Sequence, residues 1–256
     1  MSKLPKQYQF VDLSDYGRSI ARWIASNLKN TSVTPIHVTS WFIVCAILAI
    51  VCMLTGHNYL AAFLLIFKSI LDAADGELAR MKNTPSYVGR YYDSCADLIL
   101  NFLFLLTFWH LTDSSIGAML LAFIAIQLQG TLFNYYYVIL RNRVAGDTTS
   151  RVFENVGVPK ALKGETQQAV TIFYKLYTLL YAPFDKIIYS IDKEAMHGKL
   201  FPKWFMTLVS FFGLGFQLLI MAVMLVFNLE EYVIPFFIYY SIFILVLIGM
   251  RRLILN

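Results

Sequence analysis

Apolar residues in this chain run on rather than alternate, and short polar breaks separate the runs. A helix needs roughly 20 apolar residues to cross the hydrocarbon core, which predicts six spans at about 36–55, 59–78, 89–112, 116–140, 204–228 and 232–254. Continuous runs imply helices, not a barrel. Ahead of them, Ser14 to Asn30 reads as an amphipathic helix. Tyr16, Ile20, Trp23, Ile24 and Leu28 form one face, Arg18, Arg22, Ser26 and Lys29 another, and Asp15 or Ser14 can cap its start. It is expected to lie on the membrane surface, with packing on protein as the alternative. Residues 160–200 mix aromatic and apolar residues with lysines, and Pro183 interrupts them. The stretch 169–181 is too short for a further span and contains Lys175, so two interfacial helices are expected there. The predicted fold is all-α. An interfacial segment occupies residues 1–35, a six-helix transmembrane domain residues 36–256, and a link at 141–203 joins spans 4 and 5.

Composition agrees: 58% of residues are hydrophobic and 14% charged, the balance of a polytopic membrane protein rather than a soluble enzyme. Charge placement adds orientation. Apart from Lys68, inside span 2, every Lys and Arg falls on one side of the six-span layout. The positive-inside rule then puts both termini and the 141–203 link in the cytoplasm. The polar first 35 residues do not resemble a cleavable signal peptide. Cys45, Cys52 and Cys95 lie in or beside spans and read as small buried hydrophobes, and the scattered histidines have no zinc spacing. Gln127, Gln129 and Asn134 in span 4 are expected to face other helices. Gly213 and Gly215 suggest close helix packing. Membrane lipids are expected neighbours, and a nucleic-acid partner is not expected.

The chemistry concentrates between spans 2 and 3. Asp72, Asp75, Gly76 and Ala79 share one helical face, and Gly89, Asp93 and Asp97 repeat a stripe on the next helix. A short turn would point the four acids at one another. Carboxylates so placed repel unless a cation lies between them, and hard divalent ions with oxygen ligands are the natural answer. Mg²⁺ or Mn²⁺ held this way shares its coordination with phosphates, and a pair of ions clamps a phosphoryl group. A remaining acid can take the proton of an attacking hydroxyl. Small residues at 76, 79 and 89 leave room for a ligand. Metal-dependent phosphoryl transfer at a membrane surface follows, with charge-balanced structural pairs involving Arg80, Lys82 and Arg90 as the alternative. Lys68 lies one turn before Asp72, either paired with the acids or snorkelling. Arg141, Arg143 and Arg151 either bind an anionic headgroup or anchor the cytoplasmic side.

The pattern Asp72-x2-Asp75-Gly76-x2-Ala79-Arg80-x8-Gly89-x3-Asp93-x3-Asp97 resembles, position for position, the signature of the CDP-alcohol phosphotransferase family. The resemblance covers about residues 30–145 and includes Thr34-Pro35 leading into span 1. It implies attack of an alcohol hydroxyl on a CDP-linked donor with release of CMP. By the same resemblance, Asp72, Asp75, Asp93 and Asp97 would be metal ligands of two ions, and Asp97 the general base beside Asp93. Gly76, Ala79 and Arg80 would line the CDP site, Gly89 would let the helices approach it, and Thr34 would be a further nucleotide contact. Arg141, Arg143 and Arg151 would suit an acidic acceptor. A homodimer is also implied. The expected reaction takes CDP-diacylglycerol as donor and a small polar alcohol as acceptor. CDP-choline or CDP-ethanolamine with diacylglycerol is the alternative, since both share the chemistry of CMP departure. A cation transporter is the competing class, disfavoured by acids gathered at one edge and by the lack of repeat symmetry between halves.

Overall fold

The computed structural model describes residues 4–144 and 157–255. Among these residues there are helices and short 3-10 turns and no strand. The helices are α1 (Arg18–Leu28), α2 (Pro35–Leu54), α3 (Asn58–Lys82), α4 (Tyr87–Leu111), α5 (Ile116–Arg143), α6 (Gln167–Asp192), α7 (Lys203–Val209), α8 (Leu214–Val226), α9 (Glu230–Tyr240) and α10 (Ile242–Ile254).

Local chemistry sets their ends. Thr34 caps α2 by accepting from the His37 amide while His37 reaches back, and Pro35 opens the first turn. Ser86, Ser115 and Thr166 cap α4, α5 and α6 in the same way. Asn83 closes α3 in the left-handed conformation, φ 53°. The short turn this allows sets α3 and α4 side by side.

Four stretches among the described residues are long and apolar enough to cross a bilayer: α2, α4, α5 and the run Glu230–Ile254 that contains α9 and α10. The pair Lys203–Phe212 and Leu214–Val226 makes a fifth if it is one span, bent by 53°. The chain is therefore an all-helical integral membrane protein. α3 is as long as α4, but Lys68, Asp72 and Asp75 interrupt its apolar run.

α3 sits centrally, packed on α2, α8 and α1. Ala46, Ala49, Ala61, Ala62 and Ala74 are buried, so the α2 and α3 backbones approach closely. The last two predicted spans are each broken. Gly213 is extended between α7 and α8, and Ser241 separates α9 from α10. Gln129 closes the second break, donating to the Phe237 carbonyl at 3.2 Å and the Ser241 hydroxyl at 2.9 Å, and accepts from Gln217 at 3.1 Å. The interhelical role expected of Gln129 is met, whereas Asn134 is exposed.

The N-terminal helix starts later than expected. Asp12, not Ser14 or Asp15, caps a 3-10 turn at Leu13–Asp15, and α1 begins after Gly17. That turn is threaded against α8: the Leu13 amide donates to Ser210 Oγ at 3.0 Å. A Cβ at Gly213 or Gly215 would overlap Ser14, which is what the two glycines accommodate. Within α1, Ala21 and Ala25 are buried while Ile20 and Trp23 point outward.

Residues 167–192 form one continuous helix, not two. Pro183 removes one backbone hydrogen bond, but packing on α4 and α5 carries α6 through it. Tyr174 and Tyr177 meet Tyr91, the Tyr181 hydroxyl donates to the Ser94 carbonyl at 2.7 Å, and Phe184 meets Phe123 edge-on. At its end, Asp192 is buried and paired with the buried Arg251. Tyr136 donates to the same carboxylate at 2.6 Å, and Tyr135 to the Asp192 carbonyl at 3.1 Å.

Candidate active site

The α3–α4 hairpin brings Asp72, Asp75 and Asp93 together: one carboxylate oxygen from each lies within 4.8 Å of the others. Asp75 is buried and accepts a 2.6 Å hydrogen bond from the Thr39 hydroxyl of α2. Oδ1 of Asp93 is buried with no hydrogen-bond partner. Hard oxygen donors converging from two helices, one with an orphaned oxygen, fit a divalent metal ion.

Asp97 stands outside that trio. Its carboxylate is engaged by Lys68 Nζ, which also reaches Asp72 at 3.2 Å. Lys68 is 1% exposed and lies 4.4 Å from the centre of the Phe42 ring. Of the two placements expected for Lys68, pairing with the acids is the one observed.

The small residues meet different neighbours. Gly76 faces the guanidinium of Arg80, 3.4 Å from where a Cβ would sit. Gly89 lies under the Ser86 cap, where a Cβ would be 3.1 Å from the serine oxygen. Ala79 is half-buried one turn after Asp75. Thr34 is occupied as the α2 cap, facing His37.

Two contributors escaped the sequence reading. Thr39 lies outside the motif. Glu77 falls at one of its unspecified positions. Its side chain is buried at the end of α3 and is ringed by Arg80 at 3.2 Å, Arg18 at 3.3 Å and Arg22 at 3.6 Å. Neither is visible in a linear pattern, because Thr39 reaches Asp75 from another helix and two of the three arginines around Glu77 come from α1. Glu165 belongs with them: its carboxylate accepts from Ser86 Oγ and the Val88 amide, both at 2.7 Å, and pins the link to the start of α4.

The arginines after α5 divide. Arg143 donates to the carbonyls of Gly198 at 2.6 Å and Lys199 at 3.2 Å. Arg141 is buried and stacks on Tyr137 at 5.1 Å. Arg151 lies outside the described residues.

An all-helical membrane protein with an acid cluster on two adjoining helices is the class that fold and site define. The model of the CDP-alcohol phosphatidyltransferase family matches residues 32–227, and the chain belongs to that family. The match extends through α6, α7 and α8, where the sequence offered no pattern to place. It makes the chain a transferase of phospholipid synthesis, in a family generally dependent on divalent metal. No curated protein matches the chain in sequence.

Proposed function

We propose that this protein makes a phospholipid by transferring the phosphatidyl group of CDP-diacylglycerol to a small polar alcohol, with release of CMP. The observation that carries the reading is the convergence of Asp72, Asp75 and Asp93 beside Asp97, within the family's motif. Asp72, Asp75 and Asp93 would hold Mg²⁺ or Mn²⁺, as two ions. When bound there, such ions would supply charge neutralisation at a diphosphate and polarisation of its phosphorus.

The chain's own residues do the rest. Asp97, beside the other three acids, takes the proton of the acceptor hydroxyl. The hydroxyl oxygen then forms a bond to the phosphorus distal to cytidine, the bond from that phosphorus to CMP breaks, and CMP leaves with the electron pair. Asp93 lies one turn before the base and orients it from the metal side. Gly76, Ala79 and Arg80 line the nucleotide, Gly89 keeps the second helix close, and Thr34 holds the start of α2 beside them. Arg141 and Arg151 remain the candidates for an acidic group on the acceptor, while Arg143 anchors the turn before α7.

In the bilayer, α3 crosses with the other five spans, its acids at the cytoplasmic edge, where both termini also lie. α1 would lie in the headgroup region, a reading supported by the exposure of Trp23 and Ile20. Residues 1–35 would act as an interfacial segment on the catalytic domain of residues 36–256. α6 would border the acceptor entrance, as its contact with Ser94 suggests. Two copies would associate as a homodimer.

The test is CMP release by purified protein with Mg²⁺ or Mn²⁺, CDP-diacylglycerol and a panel of alcohols. Release that needs one alcohol and disappears in Asp97→Asn is expected. Release only from CDP-choline or CDP-ethanolamine with diacylglycerol would reverse donor and acceptor. Silence in both arms, with metal bound, would overturn the transferase reading in favour of ion transport.

A further inference from the structure

We infer that Lys68 is a positioning residue that bridges the base Asp97 to Asp72 of the metal-binding trio and lowers the site's affinity for metal. The inference rests on the metal-dependent reading above.

Lys68 is not part of the motif, yet its ammonium sits inside the acid cluster. It touches Asp97, lies 3.2 Å from Asp72 and is closed off from solvent by burial and by the Phe42 ring. An ammonium that deep persists only when paired, and these two carboxylates are its partners. The three acids whose oxygens converge are Asp72, Asp75 and Asp93, and Lys68 spans from Asp72 of that trio to Asp97.

Two consequences follow. Lys68 fixes the direction of the Asp97 carboxylate, so that it faces an incoming hydroxyl rather than the metal. It also places a fixed positive charge next to the metal site, which weakens metal binding. The wild-type arrangement therefore gives up metal affinity to keep the fourth acid available as a base.

The test compares Mn²⁺ binding and turnover in wild type, Lys68→Met and Lys68→Arg in detergent, with Mn²⁺ titrated by electron paramagnetic resonance. Removing the charge is expected to tighten Mn²⁺ binding by roughly tenfold or more, given the strength of a charge–ion interaction at this range. CMP release at saturating Mn²⁺ is expected to fall at least tenfold in the same variant. Lys68→Arg keeps the charge and should hold Mn²⁺ affinity near wild type. A merely structural lysine would lose affinity and rate together. If Lys68→Met does not fold, Lys68→Gln gives the same comparison, since it too removes the charge. Mn²⁺ affinity equal to or weaker than wild type in a folded neutral variant would overturn the inference. Absence of CMP release from wild type with every donor would instead sink the reaction reading, and the Mn²⁺ titration would still decide the role of Lys68.

Discussion

Thr39 gives the acid cluster one hydroxyl, donated at 2.6 Å to Asp75. A hydrogen bond to a charged acceptor contributes roughly 1.5–3 kcal/mol, so Thr39→Val should lower kcat/KM for CMP release about tenfold or more. Thr39→Ser, which keeps the hydroxyl, should stay near wild type in the same steady-state assay. Equal losses in the two variants would show that the methyl packing matters and the hydrogen bond does not. At this scale the sequence was uneven as a guide. The spacing of Asp72, Asp75, Asp93 and Asp97 placed four acids on two facing stripes, because helical periodicity converts spacing into direction. It could not reveal Thr39 or the contacts of Arg18 and Arg22 with Glu77, because those form only when α2 and α1 lie against α3.

Among the elements, α8 depends most on small residues. Gly215 faces the Ser14 carbonyl with no room for a Cβ. Gly215→Ala should destabilise by about 1–3 kcal/mol through overpacking, read as a lower melting temperature in detergent. Gly249, which has open space around it, is the control: Gly249→Ala should leave the melting temperature unchanged or slightly raised. Hydropathy located this helix but missed its break, since an apolar run looks the same whether straight or bent by 53°. The glycines signalled close packing without naming the partner, which lies nearly 200 residues away in the chain. α6 shows the opposite error. Pro183 suggested a boundary, but the tyrosines that dock on Tyr91 and Ser94 hold the helix continuous. Local propensity yields to tertiary packing here.

Across the whole molecule, the buried pair Asp192–Arg251 locks α6 to α10. Removing one partner of a buried pair typically costs about 3–5 kcal/mol, so Arg251→Met should lower stability by that order. The double variant Asp192→Leu/Arg251→Met should recover part of the loss, because no lone buried charge remains. Denaturant titration in detergent would check both, and a double variant no better than the single one would show that the pair confers more than charge balance. The docking of Leu13 on Ser210 links positions 197 residues apart. A ribosome adding about 5–20 residues per second needs roughly 10–40 s to cover that distance. The Leu13 segment is thus made well before the partner it docks on. Until that partner emerges, the arginines of α1 wait beside a half-built bundle, and Leu13 must stay free through the synthesis of nearly all the intervening helices.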